Sequence, residues 1–202
     1  MCAPRGAGYP PGMDPLESVA VVFGIASVWL STREHLLSWP TAIVNVALYF
    51  LVFREARLYA DMGLQVVYLV LSLYGWYEWR FGGADRTELP VTRATHRHAM
   101  LLGGLGGVGT LVLGTLLART TDAALPYLDS ALAVTSLCAQ WMMTRKLVEN
   151  WLVWVVADVV YVGMFAAKGL WLTAGLYAVF LGLAVSGYRT WLASWQRRTA
   201  SS

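Results

Sequence analysis

The chain has 202 residues, of which 57% are hydrophobic and 13% are charged, and its formal net charge is +3. Soluble domains are about 45–50% apolar and about 25% charged, so this composition excludes an ordinary soluble globular fold. The basic residues lie between apolar runs, where membrane topology explains them, so the charge does not indicate nucleic-acid binding. The two cysteines, Cys2 and Cys138, form no disulfide framework.

Seven apolar stretches approach the length of about 20 residues that a helix needs to cross a bilayer. A Gly/Pro-rich tail, residues 1–15, precedes them and lacks the apolar segment of a signal peptide. Backbone groups in lipid must be satisfied within one segment, so we predict helices. The predicted spans are residues 16–32, 39–54, 58–81, 97–118, 128–145, 150–168 and 170–192.

An internal repeat relates the first three predicted helices to the last three. A shift of 112 residues places residues 29–79 on 141–191 without a gap. We therefore predict an all-α membrane protein with two parallel three-helix repeats, residues 16–81 and 128–192, joined by a linker helix. A cytoplasmic loop (82–96), the linker helix with its following loop (97–127) and a C-terminal tail (193–202) complete the predicted organisation. The matching pairs include Trp29/Trp141, Arg33/Arg145, Trp39/Trp151, Tyr49/Tyr161, Gly75/Gly187 and Trp79/Trp191.

The basic residues predict the orientation of the chain in its membrane. Ten arginine and lysine residues fall in one set of loops and ends, against five in the other set. Cytoplasmic loops carry the excess of these residues. We expect the N-terminus outside and the C-terminus in the cytoplasm.

The predicted linker helix is rich in glycine. Residues 104–109 match G-x-G-x-x-G, but the strand and the acidic residue that a dinucleotide site requires are missing. Gly103 and Gly107 instead predict a close helix-packing face. His96 and His98 lack nearby cysteine or carboxylate ligands, so we predict no metal site and no cofactor.

The sixth predicted helix carries the most informative side chains. Trp151, Trp154, Asp158 and Tyr161 follow the spacing of one helix face. A charge near mid-span costs about 2.5–3.5 kcal/mol and usually faces a cavity or a partner. Because aromatic faces attract cations, the pattern favours a planar, cationic, aromatic ligand. In the alternative interpretation, Asp158 only pairs with a polar residue of another helix and the tryptophans are interfacial anchors, for which Trp151 lies close enough to the end of the span.

Other helices complete the set of candidate substrate-binding residues. Asn45 and Gln65 lie within spans and could bind a ribose or an amide, or only another helix. Tyr177, in the last predicted helix, is a further candidate. We predict no catalytic residue and no enzyme, because one buried carboxylate without a nearby His or Cys is a poor catalytic constellation. A non-transporting membrane protein remains an alternative from another class.

The residues of both halves resemble the PnuC family of bacterial vitamin transporters over about residues 16–191. The resemblance rests on Trp39-Pro40, Leu58-Tyr59-Ala60-Asp61, Gln65 and Asn150-Trp151-Leu152-Val153-Trp154 with Asp158 four residues on.

The resemblance implies a seven-helix, SWEET-like 3+1+3 fold in the bacterial inner membrane and a homotrimer with one pathway per protomer. It also implies uptake of nicotinamide riboside for NAD biosynthesis by facilitated diffusion, with trapping by cytosolic phosphorylation. Trp154 and Gln65 match family binding residues. Members that take nicotinamide riboside commonly carry asparagine at the position of Asp158, so thiamine, also a cationic aromatic vitamin, is the alternative substrate. Related members take riboflavin or deoxynucleosides.

Overall fold

The structure is a computed structural model that describes residues 15–55, 57, 59–121, 125–167 and 169–200. The predicted N-terminal tail lies outside the described residues except for Pro15, which begins the first helix. A short 3-10 turn, Ala84–Arg86, lies in the connection between α3 and α4. The described residues form seven α-helices: α1 (Pro15–Thr32), α2 (Ser38–Glu55), α3 (Tyr59–Phe81), α4 (His96–Thr120), α5 (Pro126–Thr144), α6 (Asn150–Ala167) and α7 (Trp171–Ala200).

Four helices of the described residues, α1, α4, α6 and α7, are long and apolar enough to cross a membrane. The other three, which we also predicted as spans, do not meet that criterion because polar side chains interrupt them. Among these are Asn45 in α2, Gln65 in α3 and Gln140 in α5. The all-helical membrane class is thus supported by four helices, and spanning by all seven stays a prediction.

Six of the helices close into a ring. Their order around it is α1, α2, α3, α5, α6 and α7, and α7 returns to contact α1. Helix α4 lies outside this ring and packs chiefly on α5. Its side chains Leu101, Leu105 and Val108 are more than 60% exposed, which is expected of a surface that faces lipid. We call α1–α3 the first half and α5–α7 the second half.

The glycine-rich part of α4 does not pack as predicted. A Cβ built at Gly103 or Gly107 meets nothing within 4 Å, because this side of the helix borders a groove rather than another helix. The close approaches lie further along α4. Gly109 faces Val134 and Gly114 faces the ring of Tyr127, both from α5.

Four buried tryptophans form the core at one end of the ring. We call it the basic end; it comprises the α1–α2, α3–α4 and α5–α6 connections and the last turns of α7. Trp39 meets Trp79 edge-on at 5.2 Å, and Trp151 meets Trp191 edge-on at 5.4 Å. Trp79 and Trp191 lie 5.7 Å apart and join the two pairs. All four rings are at most 2% exposed, so they seal this end against water.

Two hydrogen bonds cross between the halves within this core. The Trp79 indole N–H donates to the carbonyl of Met143 at 3.0 Å, and the Trp191 indole N–H donates to the carbonyl of Ser31 at 2.9 Å. The two donors, Trp79 and Trp191, are 112 residues apart in the chain, and so are the two acceptors, Ser31 and Met143. Each half therefore supplies one donor and one acceptor to the same contact.

The α3–α4 connection, predicted as a loop, packs across the basic end. Leu89 and Val91 are buried in the tryptophan core. The N–H of Thr92 donates to the carbonyl of Lys146 at 3.0 Å, and the N–H of Val148 donates to the carbonyl of Thr92 at 3.0 Å. The connection is thereby fixed to the second half, although it leaves from the first.

The C-terminal segment also differs from its prediction as a tail from residue 193. Helix α7 continues to Ala200. Trp195 packs against the core, and the guanidinium of Arg93 lies 5.4 Å from the centre of its ring. Arg197 and Arg198 stand in the last turn, where cations favour the helix dipole.

The tryptophan core predicts an unequal response to two glycine substitutions in α7. A methyl group at Gly187 would lie 2.5 Å from the indole of Trp151, whereas one at Gly182 meets nothing within 4 Å. We expect Gly187→Ala to destabilise the protein by about 1–3 kcal/mol through overpacking. The matched control Gly182→Ala should retain or raise stability, because alanine favours helix. Thermal unfolding in detergent measures both, and equal midpoints would contradict the packing.

Candidate functional site

A cavity of about 430 Å³ lies within the six-helix ring. All six ring helices contribute to its wall, and α4 does not. Its volume falls within the range of about 300–1,000 Å³ that is common for small-molecule sites. Trp39 and Trp151 form its floor at the basic end, and the wall extends to Tyr49 and Phe53 near the other end of α2. Six predicted site residues line it: Asn45, Gln65, Trp151, Trp154, Asp158 and Tyr177.

Asp158 is the only charged side chain among the described residues of the wall. It is 4% exposed, and its carboxylate has no hydrogen bond or ion pair with another described residue. No contact among the described residues therefore supports the alternative in which Asp158 pairs with a polar group of another helix. A buried carboxylate without a partner leaves the cavity strongly attractive to a cation.

Two tryptophans of α6 have different surroundings. Trp151 is 1% exposed and packs edge-on to Trp191, so the alternative of an interfacial anchor is wrong. Trp154 is partly buried, touches the core and lines the cavity one helical turn before Asp158. The wall thus places an indole and a carboxylate on the same face of α6, as the helical spacing predicted.

The two candidate amides have unequal freedom. The amide of Asn45 donates to the carbonyl of Ala20 at 2.7 Å, which ties α2 to α1. A Cβ at Gly24 would lie 3.0 Å from that amide nitrogen, so the glycine makes room for it. Gln65 makes no hydrogen bond with the described residues, and its amide is available to a ligand. Asn45 retains its side-chain oxygen as an acceptor.

Tyr161 is the one predicted site residue outside the cavity wall. Its ring stacks on Tyr177 at 4.5 Å, and Phe165 stacks on the same ring at 5.3 Å. Because α7 packs along α6, these two side chains turn towards α7 and support Tyr177 from behind. Of the residues predicted on one face of α6, those up to Asp158 therefore line the cavity and Tyr161 does not.

Several polar residues of the wall were not identified by the sequence analysis, among them Tyr68, Ser72 and Gln140. The hydroxyl of Tyr68 lies 2.6 Å from that of Ser136 and joins α3 to α5. The shift of 112 residues alone would not have found them, because their equivalent positions, 180, 184 and 28, were not predicted site residues. It pairs positions that both line the cavity: 28/140, 65/177, 68/180 and 72/184.

Comparisons with known proteins give one family. The sequence pattern of the family described as nicotinamide mononucleotide transporter matches residues 14–193. The nicotinamide riboside transporter PnuC of Escherichia coli (strain K12) is 29% identical over 96% of this chain and 92% of its own. The riboflavin/roseoflavin transporter RibM of Streptomyces davaonensis is 26% identical over 87% of this chain and 83% of its own. A crystal structure of the vitamin B3 transporter PnuC matches with a TM-score of 0.72 and 29% identity, covering 90% of this chain and 82% of that one.

The unpaired carboxylate predicts a stability test that requires no ligand. We expect Asp158→Asn to raise the unfolding free energy of the ligand-free protein by about 1–3 kcal/mol, because an unpartnered buried group is destabilising. Asp129, in the first turn of α5, is the matched control, because a charge there favours the helix dipole. Asp129→Asn should give no gain. Destabilisation by Asp158→Asn in thermal or denaturant unfolding would reveal a structural partner.

Proposed function

Because the chain belongs to the nicotinamide mononucleotide transporter family, we propose that it takes up nicotinamide riboside across a bacterial inner membrane by facilitated diffusion. The relatives are named as transporters, not enzymes. The observation that carries the proposal is the unpaired carboxylate of Asp158 in a cavity with aromatic walls. Nicotinamide riboside is a flat ring with a fixed positive charge, so it complements both features.

Three side chains have separate roles in this proposal. Trp154 stacks on the pyridinium ring, and Asp158 neutralises its charge or binds ribose hydroxyls. Gln65, from the opposite half, binds the polar end of the ligand. One turn of α6 separates Trp154 from Asp158 by about 6 Å along the helix axis, which matches the span from a ring to its attached sugar.

The charge of the cavity favours the riboside over the mononucleotide. The wall contains no lysine, arginine or histidine among the described residues. A phosphate would therefore enter a buried site beside Asp158 without a cation to pair with it, which is unfavourable. Phosphorylation in the cytosol would then trap the imported molecule for NAD biosynthesis, because the product does not fit the pathway that admitted the substrate.

Thiamine is the second candidate because of one observation, the identity of residue 158. A carboxylate suits the thiazolium of thiamine as well as a pyridinium. Riboflavin, in the name of one relative, has no such cation. A neutral ring gains nothing from Asp158 in its ionised form, so riboflavin is the weaker candidate.

We further propose that the fold consists of two parallel three-helix repeats with α4 as the linker. The crossed bonds of Trp79 and Trp191 support this, because their donors and acceptors share the same offset. Wall positions 39/151, 42/154 and 46/158 add further equivalent pairs. Transport then follows from one half rocking against the other, with the basic end in the cytoplasm and the N-terminus outside. The family resemblance supports a homotrimer with one pathway per protomer.

The proposed roles predict how purified protein binds charged and uncharged ligands. Trp154→Ala should abolish saturable binding of nicotinamide riboside in calorimetry. Asp158→Asn should weaken binding by about tenfold or more, since a desolvated charge contact contributes about 1.5 kcal/mol or more. The same substitution should leave the affinity for the reduced, uncharged riboside nearly unchanged.

Trp171→Ala is the matched control, because that indole is 72% exposed and lies outside the cavity wall. Its binding should equal that of the wild type. Thiamine and riboflavin serve as competitors in the same titrations. Displacement of nicotinamide riboside by much lower thiamine concentrations would transfer the proposal to thiamine, and unchanged binding by Trp154→Ala would remove that residue from the site.

Facilitated diffusion predicts uptake into proteoliposomes that is independent of ion gradients. Labelled nicotinamide riboside should equilibrate to equal concentrations and should do so at the same rate after a protonophore is added. The mononucleotide should not enter. Accumulation above the external concentration, or loss of uptake with the protonophore, would require a coupled mechanism.

A further inference from the structure

One ion pair joins the two halves at the basic end. The ammonium of Lys146, in the α5–α6 connection, lies 3.6 Å from the carboxylate of Glu34, in the α1–α2 connection. The two side chains are only 6% and 19% exposed. Their positions differ by the same 112 residues as the crossed tryptophans, and both have positive φ angles, 49° and 56°. Equivalent turns thus meet each other with opposite charges.

Lys146 is held by the first half from two sides. Besides Glu34, the ring of Trp79 lies 4.6 Å from its ammonium, within the distance of a cation–π contact. Burial lowers the pKa of Lys146, and the negative charges of Glu34 and Glu88 oppose that shift. The ammonium therefore depends on Glu34 and Trp79 of the first half for part of its stabilisation. Separating the halves here would leave it without them.

The same end also contains buried polar atoms that have no partner among the described residues. They are the Ser38 hydroxyl and Trp39 indole N–H in the first half, and the Asn150 side-chain oxygen and Trp151 indole N–H in the second. Buried unpartnered groups are destabilising, and water would satisfy them. Opening of this end would therefore lose the Glu34–Lys146 pair but gain hydration of these four groups. These opposing effects reduce the difference in free energy between the closed and the open arrangement of this end.

We propose that the Glu34–Lys146 pair is the lock of the basic end: it is formed while the cavity is closed there and broken when the halves separate to release the substrate. The inference rests on the proposed transport function. Neither Glu34 nor Lys146 lines the cavity, so the role of the pair is in the conformational equilibrium and not in ligand recognition. Weakening the lock should favour the state that is open at the basic end.

A cysteine reporter in the cavity tests the lock. Ser72 lines the cavity and is 1% exposed, so Ser72→Cys, with Cys2→Ser and Cys138→Ala, reports entry of a membrane-impermeant thiol reagent. The reagent is applied from the basic-end side of oriented vesicles. We expect Glu34→Gln and Lys146→Met, each added to the reporter, to speed labelling by roughly fivefold or more, the range of ordinary conformational couplings. Methionine retains the packing over Trp79, so this variant separates charge from volume.

Arg80→Gln is the matched control, because its pair with Glu88 at 3.7 Å is exposed at the surface. Labelling of Arg80→Gln and of Lys146→Arg should stay at the reporter's rate. Unchanged labelling in both neutral variants, or equal acceleration by Arg80→Gln, would overturn the lock. Riboside uptake by the wild-type protein separates the two proposals: absent uptake contradicts the transport function, whereas normal uptake with unchanged labelling of the reporter variants contradicts the lock alone.

Discussion

Two indole hydrogen bonds that cross between the halves hold the six-helix ring closed at its basic end. Each acceptor is a carbonyl in the last turn of a helix, α1 or α5, and it accepts the indole N–H in addition to a backbone N–H of the following turn, that of Glu34 or of Lys146. Each donor is a fully buried tryptophan, so water does not compete for the bond. Once this end is sealed, the space left within the ring becomes a cavity with a floor, and every wall residue is positioned relative to that floor.

The unpaired carboxylate of the cavity has opposite effects on folding stability and on ligand binding. A buried carboxylate with no partner in the described residues is unfavourable for folding, yet in the proposed function it is the group that attracts a positive ring. The aromatic wall complements it without adding a second charge. The absence of cations in the described wall disfavours a phosphate, so in the proposed function the same electrostatic property admits the riboside and excludes its phosphorylated product.

The sequence predicted the parts of the site that depend on one helix at a time. Helical spacing placed Trp154 and Asp158 on one face, and polarity within spans identified Asn45 and Gln65. It failed where the answer depends on a neighbouring helix. Tyr161 turns away because α7 packs against it, and the Gly103 face of α4 borders a groove because α5 approaches further along. The continuation of α7 required knowing that Trp195 had a core to join. The sequence analysis also missed the Glu34–Lys146 pair, because it used the charges of the connections only to predict the orientation in the membrane.

The position of α4 outside the ring gives it fewer structural requirements than the ring helices have. A residue on the inner wall must satisfy a ligand and the two helices beside it, so few substitutions are neutral there. Among the described residues, α4 packs chiefly on α5 and presents exposed apolar side chains on its other side. It can therefore drift through many apolar sequences while the transport pathway stays intact, and divergence along α4 carries little information about what the protein carries.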